Sequence, residues 1–262
     1  MGQQVIMVAS GRGGTGKSAV AVQLGARLAA QGLRVLLIEL AAGLRCMDLL
    51  CGLEAGTVYD LGDVLCGRCS AEKAMNDVPF APGLRVICAP LQGTELPADA
   101  LDRWIAPLRE RFDVIFLDTA AGMGPPLSAA AQVSDRALLV LTPDPAALRA
   151  GRIVGDWLYD HHRMQMHLVL NRVHPGCFAG GTVRDLDECI DTVQVQLLGV
   201  IPESAELRQA SVCGRALPAG CRASAALDNL ACRVCGRQVP LAFRQRCRPS
   251  MDHSLRTHRK ET

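Results

Sequence analysis

A glycine-rich loop between two hydrophobic segments constrains the fold of this 262-residue chain more than any other feature. Residues 11–18 read GRGGTGKS and fit the pattern G-x-x-x-x-G-K-[ST]. The run VIMVAS at 5–10 precedes the loop, and the helix-like run VAVQLGARLAAQG at 20–32 follows it. Glycines let backbone N–H groups converge on phosphate oxygens, and the following helix directs its N-terminal dipole at the same anion. The sequence therefore predicts a phosphate-binding loop that joins a buried strand to a helix.

Short hydrophobic runs alternate with segments of helical length along the whole chain. The runs are nearly continuous rather than alternating, which is typical of parallel strands that are buried on both faces. They lie at residues 5–10, 34–40, 84–90, 113–118, 136–142, 166–173 and 195–201. The predicted helices lie at residues 17–31, 97–111, 125–133, 145–161, 182–192, 203–212 and 222–236. This alternation predicts an α/β fold with a doubly wound, mostly parallel sheet.

The composition changes near residue 241. From 243 to 262 there are six basic residues and two acidic ones, and aliphatic residues become scarce. We therefore expect one P-loop domain over 1–240 and a basic, flexible tail over 241–262. The basic residues of the tail allow electrostatic attraction to an anionic membrane, whereas its few apolar anchors and Pro249 favour a solvated end.

The start of the chain, MGQQVIMVAS, has no basic segment and no long apolar run, so we expect it to form a first strand rather than a signal peptide. No stretch reaches the roughly 20 apolar residues of a membrane-spanning helix. We therefore expect a cytoplasmic protein, peripheral to the membrane if the tail binds lipid. The 12 cysteines are then expected to be reduced thiols. The net charge of +2 is too small to indicate a nucleic-acid partner by itself.

Two residues of the loop and one beyond it are candidates for nucleotide and metal binding. Lys17 supplies a compact cation for the β- and γ-phosphates, and the Ser18 hydroxyl can ligate Mg²⁺. Only three of the 28 basic residues are lysine, so a lysine in this loop stands out from an arginine-rich chain. Asp118 ends the hydrophobic run DVIFLD, where a carboxylate can hold the metal through water. A strand-terminating aspartate without a metal is the alternative for Asp118.

Several segments resemble the MinD/ParA family of ATPases and keep that family's order and spacing. GRGGTGKS is similar to the family's deviant Walker A loop, K-G-G-x-G-K-[ST]. The segment IELAAGLRCMDLLCGL at 38–53 resembles the first switch segment of the MinD branch. FDVIFLDTAAG at 112–122 resembles its D-x-x-A-G segment, and LGVIPESAELRQAS at 198–211 resembles its G-V-I-P-E segment. The resemblance implies a P-loop NTPase fold of the SIMIBI type.

The resemblance also implies an ATP-dependent switch. Its ligands are ATP and Mg²⁺, its partners are a second copy of the chain and a MinC- or MinE-like regulator, and membrane or partner binding is coupled to hydrolysis. The expected catalytic residues are Lys17, Arg12 and Asp118, and the metal ligands are Ser18 and Asp118. The residues implied in phosphate binding are Gly11, Arg12, Gly13, Gly14, Thr15, Gly16, Lys17, Ser18 and Ala19.

The resemblance assigns adenine recognition to Asn171, with Pro202 and Glu203 beside the base. An Asn side chain can both donate and accept hydrogen bonds, which suits the edge of a purine. The alternative for Asn171 is a turn-forming Asn that follows a strand.

Two departures from the family pattern bear on hydrolysis. Arg12 stands where the family has a lysine that reaches the partner's nucleotide, and arginine keeps the charge but is planar and forked. The switch pattern D-x-D-x-G-L-R-x-x-D begins at Glu39 and ends at Asp48, and its middle Asp is Ala41 here. The resemblance assigns positioning of the attacking water to that middle Asp, and alanine cannot orient water. We therefore expect ATP binding with slow hydrolysis.

Three other functions remain open at this point. Mrp-like iron–sulfur carriers of the same superfamily use a C-terminal C-x-x-C, and Cys232 and Cys235 have that spacing. The alternative is that both pack on the last helix, with Gly236 at its end; Cys66 and Cys69 form a second such pair. A ParA-like DNA-partitioning ATPase would need a basic DNA-binding face. A module that binds ATP without hydrolysing it is the third.

Overall fold

The computed structural model describes residues 3–53, 56–92, 98–180 and 182–241. Within these ranges, eight strands form one sheet. The strands are β1 Gln4–Ala9, β2 Val35–Glu39, β3 Asn76–Asp77, β4 Leu84–Ile87, β5 Val114–Asp118, β6 Arg136–Leu141, β7 Gln165–Val173 and β8 Leu197–Pro202. Their order in the sheet is β3-β4-β2-β5-β1-β6-β7-β8. Neighbouring strands are parallel except β3, which pairs antiparallel with β4 at one edge.

Helices cover both faces of the sheet. The helices are α1 Lys17–Ala30, α2 Met47–Leu50, α3 Leu61–Leu65, α4 Ala71–Ala74, α5 Ala98–Arg109, α6 Pro125–Val133, α7 Pro145–His162, α8 Gly176–Ala179, α9 Leu186–Val193, α10 Ala205–Val212 and α11 Arg222–Val234. One face packs against α3 to α7 and α9, and the other packs against α1, α2, α10 and α11. Met7 of β1 faces one apolar cluster and its neighbour Ile6 faces the other, and both are fully buried. Burial on both faces explains why the strands are continuous hydrophobic runs.

The prediction of a doubly wound, mostly parallel α/β sheet is confirmed. All seven predicted strands and seven predicted helices are present; the helix predicted over 125–133 has those bounds, and the ends of the other elements shift by at most four residues. The helix predicted over 182–192 spans Leu186–Val193, because the side chain of Asp185 accepts the Glu188 N–H and caps its N-terminus. The sequence patterns do not predict β3, α2, α3, α4 or α8. Each of these has at most five residues, which is too short for a periodic pattern to indicate it.

The predicted tail lies outside the described residues from 242 onward, so the domain boundary stays a prediction. Among the helices that the structure describes, none is long and apolar enough to cross a membrane.

Candidate nucleotide-binding site

The glycine-rich loop connects β1 to α1. Gly14 and Gly16 have φ angles of 82° and 83°, a left-handed conformation that favours glycine. A Cβ atom at Gly16 would lie only 2.4 Å from Nδ2 of Asn171, so this position also needs glycine for space. The Val20 N–H donates to the Gly16 carbonyl at 2.9 Å and closes the first turn of α1. The loop therefore leads directly into a helix N-terminus, the arrangement that binds phosphate.

Lys17 and Ser18 both contact Asp118 at the end of β5. Lys17 Nζ donates to Asp118 Oδ1 at 2.6 Å, and Ser18 Oγ donates to Oδ2 at 2.7 Å. Asp118 is 1% exposed and Lys17 8%, so the ion pair is buried. The parallel pairing of β1 with β5 aligns Val8 with Asp118, and this register brings residues 100 positions apart to one point.

The oxygen atoms of Ser18 and Asp118 suit Mg²⁺, which is bound through hydroxyl, carboxylate, phosphate and water oxygens. In the described part of the chain, no group of three His, Cys, Asp or Glu side chains could hold a metal ion. A metal here needs further ligands from a bound phosphate and from water. That requirement fits Mg²⁺, which keeps several waters and binds with one or two carboxylates and a nucleotide.

A cleft of about 210 Å³ opens beside the loop. It is lined by the three residues to which the resemblance assigns adenine, Asn171, Pro202 and Glu203, together with Gly16 and Ala19. The other lining residues are Arg172, Ser204, Leu207, Arg208, Ser211 and Val212. Arg172 and Arg208 were not predicted from the sequence. Their only signal there is that Arg172 follows Asn171 and that Arg208 lies five residues after Glu203.

Asn171 is 3% exposed, and only one of the two polar atoms of its side-chain amide has a hydrogen-bond partner among the described residues. Its Nδ2 donates to the Thr15 carbonyl at 2.8 Å, which ties the end of β7 to the phosphate loop. Its Oδ1 is buried and has no hydrogen-bond partner among the described residues. A buried acceptor without a partner costs free energy, and an amino group of a bound base would satisfy it.

Comparison with known proteins decides the family. Residues 6–217 match the model of the CobQ/CobB/MinD/ParA nucleotide-binding domain. The chain belongs to this family. The septum site-determining protein MinD of Bacillus subtilis is 33% identical, over 91% of this chain and 91% of its own length. MinD of Synechocystis is 30% identical, over 90% of this chain and 91% of its own.

Solved structures of the MinD/ParA family have the same fold. A chain of the MinC:MinD cell division protein complex of Aquifex aeolicus has a TM-score of 0.84 and 29% identity, and the match covers 91% of this chain and 98% of that one. MinD of Pyrococcus horikoshii, complexed with Mg-ADP, has a TM-score of 0.79 and 25% identity, with coverage of 88% and 95%. The expected membership of the MinD/ParA family is thus confirmed.

Glu39, the first position of the MinD/ParA switch pattern, anchors the first switch segment. Its Oε1 accepts the N–H groups of Cys46 and Met47 at 2.7 and 3.2 Å, and its Oε2 accepts the Ala89 N–H at 3.1 Å. The side chain is fully buried, and β2 pairs with β5 so that Glu39 aligns with Asp118. Burial raises the pKa of Glu39, the N–H groups of Cys46 and Ala89 oppose that shift, and the charge of Asp118 adds to it.

The raised pKa of Glu39 makes its contribution to stability depend on pH. A carboxyl with a higher pKa in the folded state stabilises the fold most below its ordinary value of 4.5, and this contribution is lost as pH rises through the raised value. Glu39→Gln does not titrate at this position. The free energy of unfolding of the wild type, measured relative to that of Glu39→Gln, should therefore fall as pH rises from 4.5 to the raised pKa of Glu39. Each unit of pKa difference corresponds to about 1.4 kcal/mol. Urea unfolding of both proteins at several pH values measures this, and a constant difference would contradict the raised pKa.

Ala41 lies in the turn that follows β2, directly after Leu40, which contacts Asp118. The Leu40 N–H donates to the Asp118 carbonyl at 2.9 Å, and Ala41 itself is half-buried. Its methyl group has no polar atom with which to hold water.

Asp48, the last acidic residue of the family pattern, forms an ion pair with Arg45. The Nε atom of Arg45 lies 2.7 Å from Oδ2 of Asp48. Asp48 thus stabilises the fold of the first switch segment, a role that the sequence had left open.

Arg12 contacts α7 of its own chain. Its Nη1 lies 3.4 Å from Oδ1 of Asp144, and the Arg12 side chain is 58% exposed. Asp144 also caps α7, since it accepts the Ala147 N–H at 3.0 Å and the Thr142 hydroxyl at 2.6 Å. Contact of Arg12 with a partner's nucleotide stays a prediction.

Cys232 and Cys235 lie at the end of α11. The helix ends at Val234 rather than at 236, and Gly236 follows with a φ of 80°. The Arg237 N–H donates to the Cys232 carbonyl at 3.0 Å, which is the hydrogen bond of a glycine-terminated helix. Cys235 packs against the apolar cluster on this face of the sheet. This geometry fits a packing role for Cys235, and the described residues include no three-ligand metal group around the pair.

Proposed function

We propose that this protein is a MinD-like ATPase switch in the placement of the cell-division site. ATP and Mg²⁺ close a homodimer, the dimer binds a MinC-like regulator and the inner face of the membrane, and hydrolysis releases both. The observation that carries the proposal is the meeting of Lys17, Ser18 and Asp118 beside the cleft of Asn171. These three side chains meet in a chain that is 33% identical to the MinD of Bacillus subtilis over 91% of the present chain.

Each residue of the site has a defined task in this proposal. The loop N–H groups and Lys17 bind the phosphates, Ser18 and Asp118 hold Mg²⁺, and Asn171 reads the adenine edge. Bound Mg²⁺ neutralises phosphate charge. Because Lys17 Nζ lies 2.6 Å from Asp118, a phosphate that enters the loop must compete with this carboxylate for the ammonium. The site therefore exchanges one buried ion pair for another when the nucleotide binds.

We further propose that the hydrolysis step is slow. Positioning of the attacking water is a large part of what a protein contributes to phosphoryl transfer. The side chain of Ala41 has no polar atom for that task. Both carboxylate oxygens of the fully buried Glu39 already accept hydrogen bonds from backbone N–H groups. Release of the dimer from its partners would then depend on a regulator that speeds hydrolysis.

Phosphate release tests the proposed function. The purified chain is incubated with ATP and Mg²⁺, with and without anionic liposomes, and binding of ATP is measured in parallel. We expect ATP to bind and phosphate to appear slowly, with a rate that rises in the presence of lipid. ATP binding without any turnover would identify a hydrolysis-inactive module, and absence of ATP binding would overturn the proposal. Salt-sensitive binding of DNA would favour the ParA-like alternative instead.

The Arg12–Asp144 contact leads to a prediction about the dimer. Asp144→Asn keeps a good N-cap for α7 but removes the charge that holds Arg12. An exposed ion pair contributes at most about 1 kcal/mol, so we expect ATP-dependent dimerisation to strengthen by up to about fivefold with little change in stability. Sedimentation with ATP and Mg²⁺ measures the dimer fraction. The matched control is Asp144→Asn combined with Arg12→Ala, and an equal gain in that double variant would show that Arg12 is not involved.

A further inference from the structure

The C-terminal ends of α2 and α10 pack directly against each other. α2 is followed by Gly52 and α10 by Gly214, with φ angles of 69° and 55°. In both cases the glycine N–H donates to the carbonyl three residues back, from Gly52 to Leu49 at 3.1 Å and from Gly214 to Ser211 at 3.5 Å. This is a helix ending that requires a left-handed residue, usually glycine.

The approach between the two ends leaves no room for a side chain. A Cβ atom at Gly52 would lie 2.6 Å from the Gly214 carbonyl oxygen, and one at Gly214 would lie 2.5 Å from the Leu49 carbonyl oxygen. Both neighbours are backbone atoms, which cannot rotate away. Gly67 and Gly236 end α3 and α11 in the same way, yet a Cβ there would meet no described atom within 4 Å. Among these four helix ends, only those of α2 and α10 approach each other so closely.

Each of the two helices belongs to a different part of the nucleotide site. α10 supplies Arg208, Ser211 and Val212 to the wall of the base cleft. α2 lies in the first switch segment, and Met47 at its start is held by Glu39 beside Asp118. Buried residues of both helices belong to one apolar cluster. Contacts thus run without interruption from the base cleft to the metal-binding carboxylate.

We propose that the contact between Gly52 and Gly214 lets an occupied base cleft position the first switch segment beside the phosphate loop. A base that fixes α10 also fixes α2, because the two backbones touch with no flexible side chain between them. Gly52 and Gly214 are positioning residues, and neither lines the cleft. The inference rests on the proposed function, since it takes adenine as the occupant of the cleft.

Amide hydrogen exchange on the wild-type chain tests this coupling. ADP fills the cleft and the loop, whereas pyrophosphate fills only the loop; both are used at saturation with Mg²⁺. We expect ADP to slow exchange at Gly52 and Leu53 about tenfold more than pyrophosphate does. The Gly67 and Arg68 amides, in the matching end of α3, report global stabilisation and should respond equally to both ligands. Equal slowing at Gly52 by the two ligands would overturn the coupling.

A pair of variants gives a second measurement. Gly214→Ala introduces both left-handed strain and a clash with α2, whereas Gly67→Ala, at a φ of 70°, introduces only the strain. We expect Gly214→Ala to bind ADP without the additional protection of Gly52, and Gly67→Ala to retain it. Identical protection of Gly52 by ADP in the two variants would contradict the proposal. If Gly214→Ala does not fold, the comparison of ADP with pyrophosphate in the wild type decides the question. A wild-type chain that binds pyrophosphate but not ADP overturns the proposed function and this inference with it, whereas ADP binding with unchanged exchange overturns the coupling alone.

Discussion

Replacing Lys17 with alanine is expected to weaken ATP binding by at least about 100-fold, which corresponds to about 2.7 kcal/mol. Lys17 is the buried cation of the phosphate loop, and no neutral side chain can balance the phosphate charge there. The same change should lower the free energy of unfolding by about 3 kcal/mol, because it leaves the carboxylate of Asp118 buried without its cation. Isothermal titration with ATP and urea unfolding measure the two effects.

Two controls separate the loss of binding from the loss of stability. In Lys17→Ala combined with Asp118→Asn, no charge is left unpaired, so most of the stability should return while ATP binding stays weak. Lys73→Ala removes an exposed lysine from α4 and should change neither quantity. Recovery of ATP binding in the double variant would mean that Lys17 acts on the fold alone. ATP affinity of Lys17→Ala within about threefold of the wild type would contradict its role in phosphate binding.

Local sequence patterns were sufficient for the phosphate loop and for every strand of the sheet except β3. The strands are buried on both faces, so each is a continuous apolar run, and β1, the loop and α1 are adjacent in the chain. Asp118 could be identified because it ends such a run. The two-residue strand β3 has too few residues to show any period, and it was missed.

Contacts between distant segments could not be predicted in the same way. Glu39 appears in the sequence only as a replacement for an aspartate, and its bond to Ala89, 50 residues away, depends on the pairing of β2 with β4. The approach of Gly52 to Gly214 joins residues that are separated by more than half of the chain. In the sequence, nothing sets these two glycines apart from Gly67. Gly67 has the same left-handed backbone conformation, but the space around it is open. Only the packed structure distinguishes a glycine required by its own φ angle from one required by a neighbour.

Introducing aspartate at Ala41 is expected to raise the rate of ATP hydrolysis about 100-fold. A side chain positioned to accept a proton or orient water contributes a factor of this order or more. The turn that holds Ala41 already lies beside Asp118, because the Leu40 N–H bonds the Asp118 carbonyl, and Ala41 is half-buried rather than packed in the core. A carboxylate can therefore be added without repacking β2. Single-turnover phosphate release at saturating ATP measures the chemical step apart from binding.

The matched control for Ala41→Asp is Ala42→Asp. Ala42 is also half-buried and follows directly in the same turn, so the two variants add the same charge one residue apart. If orientation of water is the missing function, only Ala41→Asp should accelerate hydrolysis, and both variants should bind ATP slightly less well because a carboxylate near phosphate repels it. Equal rates in the two variants and the wild type would mean that Ala41 does not limit hydrolysis. The slow step would then have to lie with Arg12 or with formation of the dimer, and Arg12→Lys would be the variant that distinguishes these two.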